Sequence, residues 1–490
     1  MALLKSLAGQ TLIYGLGTIV PRLLNYLLLT PFYTRIFPKA EYGSLTILYT
    51  YVAFLLVFLT YGMETTFFRF ISTEKNKSTI FSTSVLSLLF TTLPFVALLI
   101  FFNDQLAVWM DYSANPNFIL WLGLIVALDA FFAIPFAQLR QDDRAIWFTT
   151  IKLVNITINI GLNYLFLYVM RDAYLSESSS YWAQWYNPDL GVGYVLIANL
   201  TASAVVAVML LPEFFKVKWH FDYHLWKKMM KYAMPLLVVG VAAMINEVAD
   251  KLFLKHLLPA SAMPEEQVGI YGANYKLAVL MTIFIQMFKY AAEPFFFKQA
   301  DKSDAKETYA TVMKFFVIFG ISIFLGVTLF LDWIKFYIGP KYHEGLAIVP
   351  IVLLANLFLG MYYNLSLWYK LTNKTHLGAI ISIVGAVFTI VVNFIFIPEY
   401  GYMASAWATF GAYGLMMILS WLWGQKYYPI HYPIGRILMY FIISLMIYYL
   451  HQNIRFGTAW LQHVMSILFW LSFVVIALFL ERKQLTHHRV

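Results

Sequence analysis

The chain has 490 residues, 61% of them hydrophobic and only 12% charged, against about half and about a quarter in an ordinary soluble domain. So much apolar surface cannot be buried in one water-soluble core, and at about 20 apolar residues per spanning helix the chain accommodates about 14 spans. The absence of cysteine excludes disulfides, thiolate metal sites and cysteine nucleophiles, and the excess of 34 Lys and Arg over 25 Asp and Glu is scattered, unlike the single basic patch of a nucleic-acid reader.

Apolar stretches separated by short polar breaks run the whole length, the pattern of helices and not of barrel strands. The first span is expected at 10–34. It lacks a small-residue cleavage site after a short apolar run and reads as a retained span, not a signal peptide. Pro21 and Pro31 interrupt it, and Pro21 favours a break or kink. Spans follow at 42–62, 80–102 and 117–138, the last carrying Asp129, and then at 146–169 and 191–213. Between these two lies the longest polar piece, 171–190, whose Tyr181, Trp182, Trp185 and Tyr186 suit a lid or an interfacial anchor. The seventh span, 232–256, is unusual in carrying Asn246, Glu247, Asp250 and Lys251. Spans at 269–290, 311–331, 345–366, 376–397 and 402–424 complete a set of twelve, and a final pair is expected at 434–450 and 459–480.

With the N-terminus placed inside, 24 of the 34 Lys and Arg fall at inner loops and helix ends. This bias predicts that both termini are cytoplasmic.

The chain also repeats itself. Tyr42-Gly43, Glu64, Phe67-Phe68 and Arg69 recur as Tyr271-Gly272, Glu293, Phe296-Phe297 and Lys298. In nearly the same register, Arg140 and Arg144 match Lys370 and Lys374, and Asn163-Tyr164-Leu165-Phe166 matches Asn393-Phe394-Ile395-Phe396. A unit of six spans is even, so both copies insert in the same orientation. The expected architecture is all-α and integral to the membrane: an N-lobe at 1–222, a C-lobe at 223–430, and an appended helix pair with its tail at 431–490. Parallel repeats of this kind characterise carriers whose lobes rock about a central site.

Charge at membrane depth costs about 2.5–3.5 kcal/mol on insertion scales and calls for an explanation. Arg22 lies near the middle of span 1, with Thr18 and Asn25 on the same face. One reading sets spans 1 and 7 across a water-filled cavity made cationic by Arg22, Arg35, Lys251 and Lys255, with Asn25 and Asn246 beside them. Such a cavity suits an anion like a pyrophosphate, to which Arg bonds through two oxygens at once. The other reading pairs Glu247 with Lys251 at i, i+4, lets Asp250 complete the neutralisation, and has Arg35 and Lys255 snorkel to the outer interface. Glu64 with Arg69, and Glu293 with Lys298, end spans 2 and 8 at the inner face, either as a gate between lobes or as locks on the helix ends. Asp142-Asp143 between Arg140 and Arg144 reads as a solvated charge cluster, and His487-His488 has no companion ligands, so no metal site is expected. No P-loop, selectivity filter or sizeable catalytic loop is present, which argues against an ATPase, a channel and a membrane glycosyltransferase or polymerase.

The run from Gly9-Gln10-Thr11 to Pro21-Arg22, the Tyr42-Gly43 break and Glu64-x-x-Phe67-Phe68-Arg69 resemble the polysaccharide flippases. So do Asn393-Phe394-Ile395-Phe396-Ile397-Pro398 and Tyr400-Gly401-Tyr402. These are the O-antigen-type, Wzx-like members of the multidrug/oligosaccharidyl-lipid/polysaccharide exporter superfamily. The likeness spans essentially the whole chain; Met403-Ala404-Ser405-Ala406 stands where members often have Gly-Ala. The resemblance implies a non-enzymatic, monomeric, multi-pass protein of the bacterial inner membrane. It would move an undecaprenyl-diphosphate-linked oligosaccharide of lipopolysaccharide or related polysaccharide biosynthesis between leaflets by alternating access. It also implies Arg22 and Lys251 on the diphosphate and no cofactor. Asp129, Glu247 or Asp250 would couple the cycle to protons or sodium. A multidrug/cation antiporter and a peptidoglycan-precursor flippase of the same superfamily are the alternatives.

Overall fold

The computed structural model describes residues 17–487 except 75, 178–179, 216–218, 301 and 455–457, without the side chains of 291, 293, 294, 459 and 483–487. Among the described residues all regular structure is helical. The run 17–36 (α1) is the described part of the first expected span. Thirteen further helices are long and apolar enough to cross a membrane. They are α2 (Lys39–Thr73), α3 (Lys77–Phe101), α4 (Asn117–Gln141), α5 (Ala145–Leu175), α6 (Gly193–Phe215), α7 (Tyr223–Leu257) and α8 (Pro264–Gln299). Then come α9 (Ala305–Leu329), α10 (Ile348–Leu371), α11 (Thr375–Tyr400), α12 (Tyr402–Tyr427), α13 (Ile434–Asn453) and α14 (Trp460–Arg482). Every expected span has its helix.

Several helices outrun the expected bounds, for a local reason. α7 begins at Tyr223 because Leu225, Met229 and Ala233, spaced i, i+4, i+8, are buried in a core with Met63, Phe67 and Phe81. The exposed Lys227, Lys228 and Lys231 hide that stripe from a hydropathy reading. Asp222 caps the helix by accepting the Leu225 N–H at 2.9 Å, a favoured use of Asp at this position. Its own N–H donates to Thr83 of α3 at 3.2 Å.

α1 does not break at Pro21. The helix runs through it and widens instead into a π-turn over Asn25–Leu29. Pro31 follows immediately and has no N–H to return to the preceding turn, so the irregularity sits one turn beyond Arg22. α2 does break: Tyr61 (φ 36°) and Gly62 (φ 73°) are both left-handed, and the Tyr61 and Ser87 hydroxyls bond at 2.7 Å. A Cβ on Gly62 would press on Leu236.

The chain packs as two compact units. The first holds residues 1–256 and 263–269, hence α1 through nearly all of α7 together with the first turns of α8. Within it Gly43 and Gly269 let α2 and α8 cross backbone to backbone, since a Cβ on either would strike the other helix's carbonyl. The second unit holds residues 257–262 and 270–490, including α13 and α14. Its cores gather around Trp368, Tyr369 and Tyr413, and around Phe296 and Tyr309. The Trp368 indole donates to Ser420 at 3.2 Å. Packing therefore groups α7 with the helices before it, whereas the repeat begins a new copy there.

Candidate functional site

The intramembrane polar groups of the first unit are brought together by helix packing. At the midpoint of α4, Asp129 accepts the Ser203 hydroxyl of α6 at 3.1 Å and keeps an accessible surface. Lys152 of α5 lies 4.0 Å over the Phe136 ring, with Asp129, Glu64 and Arg140 in its electrostatic reach. One turn along α6, Asn199 donates to the Tyr49 hydroxyl at 2.9 Å. Tyr33 of α1 donates to Asn163 at 2.9 Å, and the Asn163 amide donates to the Asn159 side chain at 2.7 Å. Hydroxyls, amides, one carboxylate and one ammonium thus run through α1, α2, α4, α5 and α6. Side chains of this kind hydrogen-bond across membrane helices and satisfy one another there.

Arg22 is half-buried, with Nη2 3.5 Å from the Tyr26 hydroxyl and the guanidinium 5.7 Å from its ring centre. Asn25 is exposed at the start of the π-turn. Arg35 is exposed and donates to the Pro31 carbonyl at 3.1 Å. Lys251 is buried and pairs at 2.6 Å with Asp250, its neighbour in sequence. Glu247, expected at i, i+4 from Lys251, is exposed instead. Asn246 is buried on the same helix. Lys255 is held between Glu265 of α8 and Asp111 of the α3–α4 connection, the latter at 3.2 Å. The four expected cations therefore differ: Lys251 and Lys255 sit against carboxylates, Arg22 against an aromatic ring, Arg35 against its own helix.

The inner-face acids also find partners that spacing does not indicate. Glu64, just past the α2 break, pairs with Arg140 at the end of α4, and Arg140 also lies 4.8 Å over Phe68. Arg69 rests on the Tyr232 ring at 4.6 Å. Glu64 so joins two helices of one unit. Lys298 is exposed on α8, and the Glu293 side chain lies outside the described residues. The sequence reading also missed a pair in this unit: Arg144 at the start of α5 donates at 2.6 Å to the buried Glu213 at the end of α6. A lone Glu after Leu211-Pro212 in an apolar helix was its only signal.

Residues 7–300 match the model of a family described as polysaccharide biosynthesis protein. The chain belongs to that family. Its fold is shared with solved transporters. The lipid II flippase MurJ, in an inward closed conformation, superposes at a TM-score of 0.70 over 97% of this chain and 100% of its own, at 15% identity. An inward-facing multidrug resistance MATE family transporter of the MOP superfamily gives 0.64 at 12% identity, covering 82% of this chain and 94% of its own. An outward-facing multidrug resistance MATE family transporter of the same superfamily gives 0.59 at 12% identity, over 86% and 95%. No curated protein matches the chain in sequence. This polysaccharide biosynthesis protein thus has the two-lobed, multi-pass fold of the MOP-superfamily transporters.

Proposed function

We propose that this protein flips a lipid-linked oligosaccharide, a polyprenyl-diphosphate-linked polysaccharide repeat unit, from the cytoplasmic to the outer leaflet of the bacterial inner membrane. The observation that carries the reading is the family match over residues 7–300. The lobes alternate in access, both termini are cytoplasmic, and the protein works as a monomer. Arg22 engages the diphosphate, since a half-buried guanidinium offers a planar fork to two phosphate oxygens. Lys251 joins it by exchanging Asp250 for substrate. Asp129 couples the cycle to a proton or sodium ion. Its carboxylate, bonded to Ser203 with Lys152 in electrostatic reach, supports that role. Glu247 and Asp250 are the other acids available to it. Opening at the inner face breaks Glu64–Arg140.

The test is leaflet exchange of a fluorescent polyprenyl-diphosphate oligosaccharide in proteoliposomes. Wild type moves it, while Arg22→Ala, at equal protein level, loses most of the rate. Unchanged transport in that variant would remove Arg22 from the mechanism. The whole-length likeness to the lipid II flippase favours one second reading, translocation of a peptidoglycan precursor. Transport of lipid II in preference to the oligosaccharide lipid would establish that reading instead. A protein that lengthened the glycan would be a polymerase.

A further inference from the structure

The start of α7 is pinned to α3. The Ser82 hydroxyl donates to the His220 carbonyl at 2.6 Å, and the Trp226 indole donates to Ser87 at 2.8 Å. With Leu225, Met229 and Ala233 turned into the core, helical geometry fixes which residues face away from it. Lys227 and Lys231 occupy that opposite face and Lys228 flanks them, all three exposed. Among the described residues none of the three forms an ion pair. Lys227 and Lys228 each stand within a helical turn of Lys231, and like charges so spaced repel. Over 219–231 the acid Asp222 stands alone against three lysines and two histidines, and its carboxylate already accepts the Leu225 N–H.

The same face changes character one turn further on. Met234 and Val238 continue the row from Lys231 at steps of three and four residues, and both are exposed. Tyr223 at the head of the row and Trp219 just before it are exposed as well. Trp219 lies flat on Phe214, ring centres 5.9 Å apart. Trp and Tyr collect at the boundary between membrane and water. Within about 22 Å of its axis, one face of α7 therefore passes from aromatic rings through three ammonium groups to apolar side chains. A phospholipid has this layering, a charged head above a hydrocarbon tail. A soluble anion would use the lysines and leave the apolar continuation without a partner.

We propose that this face of α7 binds an anionic phospholipid, its phosphate held among Lys227, Lys228 and Lys231 and an acyl chain lying along Met234 and Val238. Each lysine beside a spanning helix strengthens attraction to acidic head groups by about fivefold. The bound phosphate also removes the repulsion between the lysines. A zwitterionic lipid brings its own cation and relieves less of it.

The chain has no cysteine, so a single bimane label can be placed through Met234→Cys in the full-length protein. The protein is reconstituted in phosphatidylcholine liposomes doped with acyl-brominated phosphatidylglycerol or acyl-brominated phosphatidylcholine at equal mole fraction. Quenching by the brominated phosphatidylglycerol is expected to be stronger by several-fold. Lys227→Gln, Lys228→Gln and Lys231→Gln each lower that preference by up to about fivefold, and the triple variant removes it. Raising salt to about 0.5 M weakens it by screening. The same label at Met446 of α13, also exposed, shows no preference. Equal quenching by both lipids at position 234, or quenching by neither, would overturn the proposal. So would displacement of the brominated lipid by inorganic phosphate, the mark of a soluble-anion site, or by a polyprenyl diphosphate alone, the mark of the carried substrate. Transport enters none of these readouts, so the result is independent of the substrate reading.

Discussion

The two copies of the repeat keep one buried amide and change what holds it. Asn163 on α5 and Asn393 on α11 are both fully buried, and each donates to the carbonyl one turn back, Asn159 at 2.8 Å and Thr389 at 2.7 Å. In the first copy the amide oxygen accepts Tyr33 of α1 at 2.9 Å; in the second it accepts Ser405 of α12 at 3.0 Å. Ser405 lies in the stretch where the family resemblance departs. Position within the repeat therefore sets the helix-internal bond, while the neighbouring helix sets the partner. Charge divides in a parallel way. Glu64–Arg140 in the first unit is partly exposed, at 46% and 36% of the side chains, whereas Lys314–Glu481 in the second is dry, at 2% and 1%. An exposed pair can open and close; a dry one clamps.

The sharpest break of this comparison is Glu481→Ala. Removing one partner of a buried pair deprives Lys314 of its carboxylate, and the expected loss is about 3–5 kcal/mol, read as a large drop in thermal midpoint and yield in detergent. Replacing both, with Lys314→Met and Glu481→Leu, restores most of the stability; a double variant as damaged as the single would mean that the pair has a role beyond charge compensation. Next in size are the amides. Asn163→Ala and Asn393→Ala should each cost about 1–3 kcal/mol by stranding buried partners. Adding Tyr33→Phe should be nearly silent on the first background only, and Ser405→Ala on the second only, as a double-mutant cycle would measure. Glu64→Gln should cost at most about 1 kcal/mol in the same melts, yet change the transport rate; the reverse outcome would make it a structural lock. The smallest effect is at Asp222, outside the spans, whose carboxyl is held below its ordinary value by the Leu225 backbone N–H. A depressed folded pKa stabilises above the unfolded value, about 3.9, and that stability is lost as pH falls through the folded value. Asp222→Asn should therefore lower stability slightly at neutral pH, converge with wild type in acid, and so flatten the acid limb of the pH–stability curve.

Much of the fold was legible before any coordinates. α12 starts at Tyr402 and α13 at Ile434, where the hydropathy reading put them. Bounds slipped where an amphipathic turn carried both lysines and buried residues, as at the start of α7. The site was less legible. Asp129 and Arg22 stood out because isolated charge in an apolar run is conspicuous, but Lys152, Tyr49 and Asn199 did not. Lysine, tyrosine and asparagine are common at helix ends and interfaces, and only packing placed them near Asp129 or one another.

Hydropathy by itself determined how many helices cross and roughly where each begins, because lipid leaves a spanning backbone no partner but itself. The repeat likewise announced a two-lobed carrier. Only the tertiary structure decided the charge partners: Lys251 with Asp250, Lys255 with Glu265 and Asp111, Glu64 with Arg140, Lys314 with Glu481. Electrostatic attraction acts between whichever atoms packing brings within a few ångströms, and partners 76 or 167 residues apart leave no trace in spacing along the chain.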